Sequence, residues 1–293
     1  MRIDLPKLLI SGTLIGYCLH GAAASPHEAA LTDQAAPQFT SFPVTSPYQS
    51  GTHEIRVVLP DGYDPQKRYR VLYILPVGAG PGKKSALKVF RGLDIANRHD
   101  LILVEMTFEK VPWYGDHATN PLVRQESHLR DFVVPWVEEK YSTLGTPEGR
   151  LLLGFSKSGW GAFSLILRNP DVFGYAAAWD APMMLDSFKY GMDGIFGTTE
   201  QLAACRPDLL AVSSGGPFKD RTRLVLGGEK LWGEMIPAPQ GGSHTVRMHE
   251  LLDTEGVRHI YRPDLTTPHT WNPAWIDPLV EELLKLTGEN PAR

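Results

Sequence analysis

Residues 150–170, RLLLGFSKSGWGAFSLILRNP, leave the chain little choice of local structure. Leu151, Leu152 and Leu153 ask for a short strand buried on both faces. Phe163, Leu165, Ile166 and Leu167 ask for a helix packed along one side. No loop separates the two, so the chain must turn from strand to helix within Gly154-Phe155-Ser156-Lys157-Ser158. A turn that sharp needs small residues two before and two after its apex. Gly154 supplies the first, Ser158 stands at the second, and Gly159 and Gly161 keep the helix start slim enough to pack on the strand. The apex is Ser156, and a serine held on such a turn is lifted above the carboxyl ends of a sheet, where its hydroxyl is free to act as a nucleophile.

The rest of the chain agrees with that geometry. Short apolar runs at 53–59, 69–75, 101–108, 150–155, 175–179, 223–226 and 259–262 read as strands. Helical spacing falls near 85–98, 125–141, 158–168, 243–255 and 275–286. Near-continuous apolar strands alternating with helices predict one α/β domain, a three-layer sandwich whose mainly parallel sheet is flanked by helices, over residues 51–290. Ahead of it, the apolar run 8–19 behind Arg2 and Lys7, with Ala22 and Ala24 before Ser25, has the layout of a signal peptide over 1–24. Residues 25–50 carry no period and are expected to be an extended or disordered lead-in. Cys18 falls in the leader, so only Cys205 would remain after cleavage and no intrachain disulfide is available. The net charge of −4 is interspersed, which speaks against nucleic acid and for a small or neutral substrate. These features predict a secreted or periplasmic protein without stable membrane insertion once the leader is removed.

A serine nucleophile needs a base and an acid, which follow it along the chain in the order acid, then histidine. Of ten histidines, His244, His249, His259 and His269 follow Ser156. His269 alone falls in a loop between the last strand and the last helix, and is the candidate base. Two carboxylates compete as the acid. Glu229 follows the strand at 223–226 through Gly227-Gly228, and Asp180 ends the apolar run GYAAAW; Glu229 is favoured, with Glu234 and Asp264 as further options. The oxyanion needs two backbone N–H donors, expected from Lys157 and from Val77 or Gly78 in PVGAGPG (76–82). Trp113, Tyr114 and Asp116 in the loop 107–121, together with Trp160, are candidate substrate-binding residues whose aromatic faces suit a sugar ring or an aromatic acyl group. No His/Asp/Glu cluster at ligand spacing appears, so neither a metal nor another cofactor is expected.

GFSKSGWGA around Ser156, VVPWVEEKYST (133–143), RNPDVFG (168–174) and PHTWNPAW (268–275) together resemble the esterase D-like serine esterases. That family includes feruloyl and acetyl-xylan esterases, enterobactin esterases and mycolyltransferases of the antigen 85 type. The resemblance implies an α/β-hydrolase fold over roughly 50–288 and a serine hydrolase acting on a small-molecule or glycan ester. It also implies Ser156 as nucleophile, His269 as base, an acid near Glu229, and oxyanion donors at Lys157 and Val77–Gly78. The chain departs from the family at Pro76-Val77, where His-Gly is common, and at Asp180, where a small or hydroxyl residue is usual. Acyl transfer to a sugar or lipid alcohol, and ligand binding without catalysis, are the alternative functions.

Overall fold

The computed structural model describes residues 39–80, 85–228 and 243–288. The leader at 1–24 and Glu229 lie outside them. Eight strands form one sheet: β1 (Thr40–Ser46), β2 (Gln49–Val58), β3 (Arg70–Leu75), β4 (Leu101–Met106), β5 (Arg150–Phe155), β6 (Tyr175–Trp179), β7 (Leu224–Gly227) and β8 (His259–Arg262). Their order is β1-β2-β4-β3-β5-β6-β7-β8. β2 runs antiparallel to β1 and β4, and all pairings from β4 onward are parallel. The mainly parallel sheet read from the sequence is therefore present, and it starts earlier than expected. Residues 40–50, assigned above to the lead-in, form β1 and the beginning of β2. They show no apolar period because β1 is an edge strand, largely open to solvent.

Alternate side chains of the central strands point to opposite faces, and each face carries its own core. Val71, Tyr73, Ile102, Val104, Leu152 and Ala176 look to one side. Leu72, Ile74, Leu103, Leu151, Leu153 and Tyr175 look to the other. The second face is covered by α1 (Leu87–Gly92), α2 (Ile95–His99) and the last helix, α10 (Pro273–Leu286). The single helix expected at 85–98 is broken in two by Asp94 in a left-handed conformation (φ 56°). The first face is covered by a wide π-helical turn (His128–Val133), which follows the single turn α3 (Gln125–Ser127), and by α4 (Val134–Lys140), α5 (Lys157–Arg168) and, further along, α9 (His244–Thr254). The π turn lies just ahead of Pro135, which lacks the N–H an ordinary helix would use there. Between β6 and β7 the chain makes three short helices that the sequence pattern does not reveal: α6 (Asp193–Phe196), α7 (Thr199–Ala203) and α8 (Pro207–Ser214). None is long enough to show a clear period. A third small core lies against α6 and α7, where Trp113, Trp160, Ile195, Phe196, Leu202 and Cys205 meet. No helix of the described residues is long and apolar enough to cross a membrane.

The π turn buries His128 completely, stacked on Phe132 and edge-on to Phe108, with neither ring nitrogen bonded among the described residues. Burial, and to a lesser degree His53, pushes its pKa from 6.5 down to about 3. The unfolded chain takes up a proton below about pH 6.5 that the native chain refuses until about pH 3. Stability is thus complete above that window and lost as pH falls through it. At about 1.4 kcal/mol per pH unit the loss from His128 alone is about 2 kcal/mol at pH 5. His244, lowered to about 4 chiefly by burial, acts in the same direction. The melting temperature should fall steadily between pH 7 and 4, and His128→Phe should flatten that slope. An unchanged slope in the variant would exclude His128 as its source.

Candidate active site

Parallel register aligns four strand ends. Leu75 pairs with Gly154, Phe155 with Trp179, and Trp179 with Gly227. The residues just beyond them, Pro76–Gly78, Ser156, Asp180 and Gly228, therefore share the carboxyl edge of the sheet, where open α/β sheets gather their ligands.

Ser156 sits at φ 55°, ψ −127°, a conformation that strains any residue with a side chain. Its neighbours hold it there. The Ser156 N–H donates to the Trp179 carbonyl at 3.0 Å. A Cβ on Gly154 would lie 2.0 Å from the Ser158 carbonyl oxygen, and one on Gly159 would lie 2.8 Å from Ala181 Cβ. Ser158, standing where glycine is more usual, closes the turn itself: its buried hydroxyl accepts from the Phe155 N–H and donates to the Phe155 carbonyl, both at 2.9 Å.

The Ser156 hydroxyl is 3.0 Å from His269 Nε2, and His269 Nδ1 is 2.7 Å from Asp180 Oδ2. A carboxylate can only accept, so Nδ1 carries the proton and Nε2 is left to accept from Ser156. The His269 ring lies 4.5 Å from Phe155. The loop that carries it is fixed at its far end by Asn272, whose side chain caps α10 at the Ala274 N–H, and by Trp275, whose indole N–H donates to the Thr270 carbonyl. Asp180 is 2% exposed, and its left-handed φ of 45° follows from the turn between Trp179 and Ala181. The Asp180 N–H is held by the Gly227 carbonyl at 2.9 Å. The carboxylate against the imidazole thus comes from the end of β6. Glu229, favoured from the sequence, lies outside the described residues.

Of the other histidines behind Ser156, His244 is buried with Nδ1 accepting from the Met184 N–H, and His249 and His259 bond to each other. His269 is the one that reaches the hydroxyl.

Lys157 opens α5, so its N–H has no acceptor within the helix. Burial holds its side-chain ammonium below the ordinary value. Val77 and Gly78 line a cavity of about 330 Å³ together with Pro76, Ser85, Glu105 and Met106. Two sets of contacts that sequence reading misses lie beside this cavity. Glu105, 1% exposed near the carboxyl end of β4, accepts from Arg56 at 3.0 Å, from the Ser85 hydroxyl at 2.5 Å and from the Ala86 N–H at 2.9 Å. The signal was present: an acid inside the apolar run LILVEM must find partners or forfeit its charge. The second is the Tyr114 hydroxyl, which donates to the Pro76 carbonyl at 2.6 Å.

The substrate wall expected at 107–121 is not there. Trp113, Tyr114 and Trp160 are fully buried, with Trp113 edge-on to Trp160 and Trp160 edge-on to Phe196. Asp116 is occupied too, accepting from the Ser127 N–H and hydroxyl and from Arg124. The Trp113 and Tyr114 N–H groups both donate to Gln125 Oε1. The loop is wired to α3 and covered at α6, so Trp113 fills the third core and Tyr114 the core of the first face instead of facing a ligand. Tyr114 lies against α5, since a Cβ on Gly161 would fall 2.1 Å from its ring. Tyr114→Phe should therefore lower kcat about tenfold with KM within about twofold, because the Pro76–Gly78 segment beside Ser156 loses one tether. Steady-state kinetics check this, and unchanged kcat would show that the segment holds without that tether.

The strand order is that of an α/β-hydrolase fold, with a hydroxyl–imidazole–carboxylate line at the sheet's carboxyl edge. The family model described as "Putative esterase" matches residues 46–286. The chain belongs to that family. Among curated proteins it is 34% identical over 127 residues to endo-1,4-beta-xylanase Y of Acetivibrio thermocellus, covering 40% of this chain and 11% of that protein. It is 27% identical over 136 residues to esterase MT1326 of Mycobacterium tuberculosis, covering 45% and 29% respectively. The matches thus span less than a third of either relative. Among solved structures, a ferulic acid esterase superposes with a TM-score of 0.64 at 17% identity, over 85% of this chain and 98% of that one.

Proposed function

We propose that this protein is an exported serine esterase that cleaves an acyl ester carried on a carbohydrate, through an acyl-enzyme on Ser156. The observation that carries the reading is the continuous line from Ser156 Oγ through His269 to Asp180 Oδ2. In this mechanism His269 Nε2 takes the Ser156 proton as the oxygen attacks the ester carbonyl. Asp180 holds the imidazole in the required tautomer and stabilises the imidazolium. The N–H groups of Lys157 and of Val77 or Gly78 receive the oxyanion. His269 returns the proton to the leaving alcohol, then activates water to release the acid.

Support for a carbohydrate ester comes from the similarity to a xylanase and to a ferulic acid esterase, no longer from aromatics in the 107–121 loop. Support for export comes from the leader layout of residues 1–24. The test is a panel of feruloyl and acetyl esters on xylo-oligosaccharides beside simple alkyl esters of the same acids, with product analysis in the presence of excess alcohol. The reading expects kcat/KM at least tenfold higher on the carbohydrate esters, and free acid as the main product. Equal rates on alkyl esters would remove the carbohydrate, and acyl transfer to the added alcohol would replace hydrolysis.

A further inference from the structure

One cluster of chemically active side chains, at the sheet edge, has no part in the ester chemistry. His249 and Asp253 stand four residues apart on one face of α9, and His259 is the first residue of β8, the last strand of the sheet. His249 Nδ1 and His259 Nε2 face each other at 2.7 Å. The Asp253 carboxylate stands 3.6 Å from His249 Nε2 and 4.0 Å from His259 Nε2. One ligand atom from each of the three residues lies within 4.8 Å of the other two.

The rings are oriented as well as close. His259 Nδ1 is 2.9 Å from the Val257 carbonyl, so the proton resides on Nδ1 and the Nε2 lone pair points into the cluster. A backbone carbonyl behind the ring is the usual second partner of a metal-bound histidine. His249 is stacked on Tyr261 at 4.1 Å, which limits the swing of its ring.

We propose that His249, Asp253 and His259 form a binding site for a divalent transition-metal ion of the zinc class, with water as a fourth ligand. Two imidazole nitrogens and one carboxylate oxygen suit Zn²⁺, Ni²⁺ or Cu²⁺, whereas Mg²⁺ and Ca²⁺ favour all-oxygen shells. Tetrahedral bonds of about 2.0–2.1 Å place the two nitrogens about 3.3 Å apart, so the rings must part by roughly half an ångström. A small rotation of the partly exposed His249 side chain accommodates that. The ion would clip α9 to β8, the strand that feeds the segment carrying His269. Three strand spacings, on the order of 14 Å, separate β8 from the strand that carries Ser156, so the ion acts on the scaffold and not on the ester. The sequence spacing hides the site because its ligands come from a helix and a neighbouring strand.

The experiment uses untagged mature protein stripped with a chelator, titrated with ZnCl₂ by calorimetry and melted with and without the metal. The proposal expects one equivalent bound per chain with micromolar affinity, and a melting temperature about 5 °C higher at saturating Zn²⁺. MgCl₂ at the same concentration should give no shift. His249→Ala should weaken binding at least thirtyfold and Asp253→Asn about tenfold, with both metal-free melting temperatures near that of the parent. If His249→Ala does not fold, the exposed Asp253→Asn decides alone. Absence of a one-equivalent transition, or unchanged affinity in the variant that folds, overturns the proposal.

Discussion

Asp180→Asn should lower kcat by about 10⁴-fold while the protein stays folded. The carboxylate accepts the Nδ1 proton of His269 at 2.7 Å and so leaves Nε2 free to take the proton of Ser156. An amide in its place can turn its NH₂ toward the ring, which puts the proton on Nε2 and leaves the hydroxyl with no base. Glu229→Gln, at the carboxylate the sequence favours, should stay within about threefold of the parent. The pair separates the end of β6 from the end of β7 as the source of the acid. Parallel measurement of kcat and melting temperature for the two variants is the check, and a collapse in the Glu229 variant with Asp180→Asn active would reverse the assignment.

Ser156→Ala should remove about 10⁴–10⁶-fold of kcat. The backbone at Ser156 is strained by its φ of 55°, and alanine tolerates that conformation no worse than serine, so the elbow should persist. Circular dichroism and the melting curve should match the parent while ester hydrolysis disappears. Measurable turnover within a hundredfold of the parent would mean that another group attacks the ester.

Much of this site is legible in the chain, and the reasons are specific. Ser156 declares itself because a strand, a glycine and a helix with no intervening loop leave one shape for the turn. His269 follows because it alone among the later histidines falls between a strand and a helix, and the structure puts its ring 3.0 Å from the hydroxyl. The acid resists the same reasoning. Asp180 and Gly228 each follow the end of one of two adjacent parallel strands, and Asp180 meets the imidazole from a left-handed turn with a φ of 45°. No pattern of hydrophobicity records that turn. The aromatics of 107–121 mislead for a related reason. Trp113 is covered by α6 and α7, four and five residues long and too short to leave a period, and Tyr114 turns inward onto Phe108 and α5, so a loop that looks exposed in sequence is buried in space. Glu105 is the reverse case: a charge that reads as an anomaly within a strand proves to anchor the start of α1 at Ser85 and Ala86, with Arg56 balancing it.

The most direct test of the account is labelling of the purified protein with a fluorophosphonate, followed by mass-spectrometric mapping of the modified peptide. The probe reacts with a serine hydroxyl that a base has activated. The geometry predicts one label per chain on Ser156, lost in His269→Ala. A label on any other residue, or none on correctly folded protein, would contradict the catalytic line drawn from Ser156 to Asp180.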